Sequence, residues 1–484
     1  MNLRVVAFLL GRLAVFESLL VLVPFLTALL HDEKTVLALG TASVLSAVFG
    51  AALLYAGKLD KEDLSSREGI AVTGLGWLMM SILAMLPYLL SGILPPLDAY
   101  IESLSGLSGT GATVIPDLAA VPGSLLLWRA MTHWFGGLGI IVIFIAILPQ
   151  VGQSAVYMYN AESTGPMSER VLPRLKDMAR ALFQIYVFFT VSSAVVYYLC
   201  GMPPSVALDH AMSTMATGGY STYDDSIAHF NNPVLEVWVI FFMLLGSGNF
   251  GLYLNVYKKG FSSLWKNSEF KAYLGILFFT MLAISANLVW EGNFSLPEAI
   301  RYSSFQVAAV TSTTGFVSND FDLWPSFSKF CLLLLMFMGG CAGSTAGGLK
   351  ISRVVILAKL LHAMVMRKLH PQMVLDIRMN GRTVPGEVLF SVGRFFFVYI
   401  VLCVLWSLVF VADGIPTLDA IGLSISTMGS VGPGFGVVGA TCTYANLPLM
   451  SKCAVCLSMF LGRLETFTVL VMFLPSFWSR KQGW

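Results

Sequence analysis

"DAIGLSISTMGSVGPGFG", residues 419–436, follows a long apolar stretch. It is too polar and glycine-rich to cross a bilayer, yet more apolar than an ordinary loop. Three other stretches share its design: "PPLDAYIESLSGLSGTGATVIP" (95–116), "PPSVALDHAMSTMATGGYST" (203–222) and "PEAIRYSSFQVAAVTSTTGFVSND" (297–320). With residues 416–436 as the fourth, each opens on proline, carries an acid soon after, and ends in Ser/Thr and glycine. From the last proline to the aligned glycine the spacing is 15, 15, 18 and 16 residues, ending at Gly111, Gly219, Gly315 and Gly432.

Proline suits the first turn of a helix, where its missing N–H costs nothing. Asp98, Asp209, Glu298 and Asp419 are expected near the positive end of that helix's dipole. The apolar middle is too short to span a bilayer, which takes about 20 residues, so each segment reads as a re-entrant helix closed by a glycine turn. Internal repetition of this kind decides the fold.

The rest of the chain agrees. Of 484 residues 56% are hydrophobic and 12% charged, with mean hydropathy +0.77; soluble domains carry about 25% charged residues. Ten candidate spans fall at 3–30, 36–57, 69–94, 124–149, 179–201, 234–257, 271–291, 326–361, 387–412 and 448–475. Twenty of the 29 Lys and Arg lie at 58–67, 170–180, 258–271, 350–382 and 480–481, which places those linkers and both termini in the cytoplasm. The expected fold is an all-α polytopic membrane protein: two leading helices (1–68), then four helix–pore loop–helix repeats at 69–178, 179–270, 271–386 and 387–484 in pseudo-fourfold arrangement.

Non-helical backbone at membrane depth is tolerated where it lines a water-filled path or is buried in protein. Four glycine turns about one axis would present rings of carbonyl oxygens, the device by which a potassium filter replaces a hydration shell. None of the four-residue turns ending at Gly111, Gly219, Gly315 and Gly432 contains a carboxylate, which favours a monovalent cation. Cys453 and Cys456 form a CxxC without a second pair or a nearby His, so buried thiols are expected rather than a metal or redox site.

The loops "STMATGGYST" and "TSTTGF", with the fourfold plan, resemble the potassium-translocating membrane subunits of the Trk/Ktr/HKT superfamily, TrkH most closely, over essentially the whole chain. The resemblance implies K+ as the transported ion, a homodimer, and a cytoplasmic TrkA-like nucleotide-binding regulatory subunit. It implies ion-coordinating carbonyls at Thr110, Gly111, Gly218, Gly219, Thr314, Gly315, Val431 and Gly432. In the family, glycine in all four repeats goes with potassium preference and serine in the first with sodium; the first position here is Gly111. The fourth loop departs most, with Val431 and Pro433, making the filter asymmetric.

Residues 326–361 are too long for one span, and their middle, "GGCAGSTAGG" (339–348), has five glycines and no bulky side chain. A break into an intramembrane loop is expected, and the resemblance makes Gly339, Gly340, Gly343, Ser344, Thr345, Gly347 and Gly348 a gate beneath the filter. The neighbouring "GSTAGGLK" only approximates a phosphate-binding loop. Arg463, a charge near mid-span, either pairs with another helix or, as the resemblance favours, projects into the permeation path as a second gate element. Glu465 lies two residues on, on a different face. Glu17 is expected to pair locally with Arg12 or Arg4, and His133 to serve in helix packing rather than as a metal ligand. The basic linker 350–382 could meet anionic lipid or the regulator.

These features describe a gated, passive potassium-uptake pore in an inner membrane, driven by about 2.3 kcal/mol per charge per 100 mV. The alternatives are an H+- or Na+-coupled symporter with an occluded midplane site and, more weakly, a membrane-embedded enzyme. No HExxH or nucleophile–base set supports the latter, and neither an organic cofactor nor a nucleic-acid partner is expected.

Overall fold

Long apolar runs without charged interruptions set the outer helices, and proline-started short segments set the inner ones. The structure, a computed structural model, describes residues 1–57, 66–139, 175–370, 376–464 and 466–478. Helices α1 (Leu3–Leu30) and α2 (Val36–Ala56) pack along their length. Gly11 and Gly50 meet at their crossing, where an added Cβ on Gly11 would fall 2.8–2.9 Å from main-chain atoms of α2. Small residues admit this approach in a setting where lipid tails are as apolar as Leu.

Four similar units follow. Their outer helices are α3 (Ser66–Ala84), α6 (Leu175–Leu199), α10 (Ser268–Trp290) and α14 (Gly386–Ala412). Their pore helices are α4 (Pro96–Ser108), α7 (Pro204–Met215), α11 (Leu296–Thr311) and α15 (Thr417–Gly429). Their inner helices are α5 (Gly123–Gly137), α8 (Pro233–Ser247), α12 (Ser326–Met338) and α16 (Leu449–Arg463). Beyond three of these lie α9 (Phe250–Lys259), α13 (Ile351–Leu369) and α17 (Thr466–Met472). A two-stranded hairpin pairs Arg378 with Thr383 and Met379 with Arg382.

The pore helices begin as the proline signal predicts. Pro96 and Pro204 open α4 and α7, Pro416 caps α15, and Ser295 with Glu298 forms a capping box on α11. Asp98, Glu298 and Asp419 lie in their first turns. Asp209 does not: it falls a turn deeper in α7, where the dipole has faded. The C-terminal parts of the pore helices are buried, while the outer helices present Leu, Val and Phe outward.

Six unbroken segments are long and apolar enough to cross a membrane among the described residues, and two more pass as bent pairs. Of the ten candidate spans, those at 234–257 and 448–475 are therefore bent pairs rather than straight helices. α8 and α9 meet at 92°, α16 and α17 at 115°. The predicted span 326–361 divides into α12 and α13 around an irregular segment, as anticipated. The second half of 124–149 and the basic residues at 58–65 and 480–481 lie outside the described residues, as does Glu465. All four inner helices thus stop after 13 to 15 residues. Each stop coincides with small residues: Gly136-Gly137, Gly246-Ser247-Gly248, Gly339-Gly340 and Gly462.

Glu17 does not pair with Arg12 or Arg4. It is buried and neither carboxylate oxygen meets a hydrogen-bond partner among the described residues, while the Arg12 guanidinium lies 4.6 Å from the centre of the Phe8 ring. Five positions on a helix put Arg12 and Glu17 on different faces, away from the i,i+3 and i,i+4 neighbours that meet.

Candidate functional site

Each pore helix ends in the same way. The N–H groups of Thr110, Gly218, Thr314 and Val431 donate to the carbonyls five residues earlier, those of Ser105, Ser213, Ala309 and Ser426, at 2.9–3.0 Å. This is the 6→1 bond of a Schellman-type terminus, which requires a left-handed residue. Gly109, Thr217, Thr313 and Ser430 supply it, with φ of 68°, 53°, 55° and 54°. A second positive φ follows two residues on, at Gly111 (77°), Gly219 (81°), Gly315 (75°) and Gly432 (98°). The chain alternates hand through every turn, and glycine occupies the second such site in all four.

The turns close into a ring. A Cβ on Gly111 would collide with the carbonyl oxygen of Gly218, and one on Gly219 with that of Thr314. One on Gly315 would meet the oxygen of Val431, and one on Gly432 that of Thr110. Repeat one touches two, two touches three, three touches four, and four returns to one. The eight residues expected to act together are therefore brought together around one axis. The four glycines also line a cavity of about 120 Å³, together with Tyr220, Asp224 and Tyr444.

Ion pairs and hydrogen bonds brace the ring, several of them unforeseen. Arg129 donates to Glu102 at 2.7 Å with both side chains buried, and reaches the Ser221 carbonyl (3.0 Å) and the Thr113 hydroxyl (3.2 Å). Its guanidinium stacks 3.9 Å from the centre of Tyr220, whose hydroxyl donates to the Glu102 carbonyl. Repeats one and two are thereby locked behind the turns. Lys452–Asp98 (2.6 Å) joins repeats four and one, and Arg301–Glu236 (2.7 Å) joins three and two. A charge on a short apolar helix was the available signal for Glu102, but nothing in the spacing names its partner. His133 packs as expected, stacked on Tyr220 at 3.9 Å with Nδ1 3.1 Å from the Ser213 hydroxyl.

The expected intramembrane loop lies directly under the ring. It leaves α12 at Gly339 (φ 72°) and returns to α13 after Gly348 (φ 74°), whose Cα-bearing faces pack against each other too closely for a side chain. Gly340 packs against Ser247 and Ala346, the Gly343 carbonyl accepts from the Phe250 N–H at 3.1 Å, and Ser344 donates to the Cys341 carbonyl. Thr345 donates to the Met215 and Gly246 carbonyls at 3.0 Å and lies 3.2 Å from the Thr217 hydroxyl. The Gly347 N–H donates to the Thr313 hydroxyl at 2.8 Å, and a Cβ there would strike the Gly429 carbonyl. Repeats two, three and four are all touched from beneath.

Arg463 completes the layer. Its guanidinium donates to the carbonyl of Thr345 at 3.0 Å and to those of Gly136 and Gly137. Of the two readings of this residue, pairing with another helix and projection into the permeation path, the hydrogen bonds bear on the first: it binds the end of α5, and the loop with it.

Comparison with known proteins follows the same lines. The family model TrkH, described as cation transport protein, matches residues 38–291 and 272–480. The Trk system potassium uptake protein TrkH of Salmonella typhimurium is 34% identical, covering 99% of this chain and 100% of that one. The Trk system potassium uptake protein TrkG of Escherichia coli is 32% identical over 99% of each. The crystal structure of the potassium transporter TrkH from Vibrio parahaemolyticus superposes with a TM-score of 0.89 at 32% identity, covering 99% of this chain and all of that one. On these grounds the chain belongs to the TrkH family of cation transport proteins.

Proposed function

We propose that this protein takes up potassium through a single axial pathway, passively and under control of a gate. The observation that carries the reading is the closed ring of contacts linking Gly111, Gly219, Gly315 and Gly432 to the carbonyls of Gly218, Thr314, Val431 and Thr110. Main-chain oxygens of Thr110–Gly111, Gly218–Gly219, Thr314–Gly315 and Val431–Gly432 would take the place of the ion's hydration shell. Their partial charges are fixed by the fold, so a dehydrated monovalent cation meets a prepared site.

Beneath them, Gly339, Gly340, Gly343, Ser344, Thr345, Gly347, Gly348 and Arg463 act as the gate. The loop occupies the axis, and the guanidinium adds a positive charge that raises the barrier for a cation. The membrane potential supplies the driving force, so no catalytic group is needed. The remaining parts of the reading are an inner-membrane location with both termini cytoplasmic, five units bounded at 68, 178, 270 and 386, a homodimer, and a cytoplasmic TrkA-like nucleotide-binding regulator. The basic residues of 350–382 would face that regulator and anionic lipid headgroups.

Purified protein in a planar bilayer tests the reading. Unitary current steps carried by potassium are expected. Saturable uptake without steps, dependent on a proton or sodium gradient, would replace the pore with a coupled symporter.

A further inference from the structure

One member of the ring differs from the other three. The Gly432 carbonyl oxygen accepts from the Tyr444 hydroxyl at 2.5 Å and from the Ser426 hydroxyl at 2.8 Å. Among the described residues no donor reaches the carbonyl oxygens of Gly111, Gly219 or Gly315. A carbonyl oxygen has two lone pairs, and two hydroxyls engage both of them here.

The donors are built in. Ser426 lies within α15 and is fully buried; the Val431 N–H that closes the turn bonds to its carbonyl. Its hydroxyl also stands 3.1 Å from the Pro433 carbonyl. Tyr444 is 3% exposed, opens the short helical turn Tyr444–Asn446, and donates its main-chain N–H to Thr113 of the first repeat at 2.8 Å. It lines the cavity that the four glycines also line. The residue thus straddles the seam between the fourth and first repeats while holding a carbonyl that its counterparts leave free. Gly432 also has the most positive φ of the four, 98° against 75–81°.

We propose that Tyr444 and Ser426 are specificity-determining residues that withdraw the Gly432 carbonyl from the pathway. The outermost coordinating plane is then three-sided, formed by Gly111, Gly219 and Gly315, with water on the fourth side. An ion there keeps part of its hydration, so this plane admits cations and sorts potassium from sodium less sharply than a complete ring. The inference rests on the filter reading above and amends it at one position, taking the Gly432 oxygen out of the set that coordinates the ion.

The test measures potassium-to-sodium permeability ratios of the full-length protein in proteoliposomes. Tyr444→Phe, Ser426→Ala and their double variant are compared with Ser426→Thr, which keeps the hydroxyl, and with Gly315→Ser, which alters the ring itself. The double variant is expected to raise the ratio about fivefold, the scale of one net hydrogen bond, and Tyr444→Phe alone about twofold. Ser426→Thr keeps the native ratio. A ratio unchanged or lowered in Tyr444→Phe and the double variant, while Gly315→Ser shifts it, overturns this inference and leaves the filter standing. The near-isosteric Tyr444→Phe decides alone if the double variant does not fold. Loss of folded protein or total flux at constant ratio marks a purely structural role and also overturns it. If Gly315→Ser leaves the ratio unmoved as well, the filter reading itself falls.

Discussion

The Arg463 guanidinium donates to the main-chain oxygen of Thr345 at 3.0 Å, joining the last turn of the fourth repeat's inner helix to the third repeat's loop. The same side chain binds the carbonyls of Gly136 and Gly137 at the end of α5. Those carbonyls are the negative end of a helix dipole, where a cation is favoured. One residue therefore holds three repeats together.

Replacing that residue should open the path. Arg463→Ala removes the charge and the tie to Thr345, and rubidium uptake at equal reconstituted amount is expected to rise several-fold; each ~1.4 kcal/mol taken from a barrier is worth about tenfold. Arg463→Lys, which keeps the charge but not the fork of donors, should fall between. Unchanged or reduced uptake in Arg463→Ala would remove the residue from the gate.

A carboxylate also binds the loop. Glu269, buried at the start of α10, accepts from the N–H of Ala342 at 2.7 Å and of Ser352 at 3.0 Å, so one carboxylate straddles the loop. Glu269→Ala leaves two main-chain donors unsatisfied, at about 1–3 kcal/mol each if they stay buried. The loop is expected to loosen, raising flux and the rate of maleimide modification at Cys341, which is 1% exposed. The other cysteines are replaced for this measurement. A thiol that stays protected while flux is unaltered would show that the carboxylate does not restrain the loop.

The pore helices, their glycine turns and the interruption of 326–361 were legible because each is announced locally, by proline, by glycine or by excess length. The breaks in the other inner helices were not, although Gly136-Gly137, Gly246 to Gly248 and Gly462 stand at equivalent places. Average hydropathy is the same for a straight apolar helix and one bent by 92°, so the window that finds spans is blind to the bend. Arg129 is the lone charged residue of the apolar stretch 124–149. Its pairing with Glu102 spans 27 positions and exists only once the first loop has folded back on its own inner helix. Tyr444 was silent for the same reason: its hydroxyl finds Gly432 through a turn that no periodicity predicts.

The Glu102–Arg129 pair yields a stability prediction. Both side chains are at most 2% exposed, and removing one partner of such a pair costs about 3–5 kcal/mol because the other is left charged and buried. Glu102→Gln should lower the unfolding temperature in detergent markedly. The double variant Glu102→Leu/Arg129→Met should recover much of that loss. Additive losses in the double variant would mean that the two residues do not act as a pair.

The ring itself is tested by separating backbone strain from contact. Gly201 and Gly219 both have positive φ, 104° and 81°. An alanine in the left-handed region costs roughly 1–2 kcal/mol, and that penalty applies at either position. Their surroundings differ: a Cβ at Gly201 meets nothing within 4 Å, whereas one at Gly219 collides with the Thr314 carbonyl oxygen of the next repeat. Gly201→Ala should therefore keep potassium uptake and selectivity while losing some stability. Gly219→Ala must push the second and third turns apart, and potassium preference over sodium should collapse even in protein that folds. Equal behaviour of the two variants in a paired uptake and competition assay would show that the contacts between turns do not set selectivity.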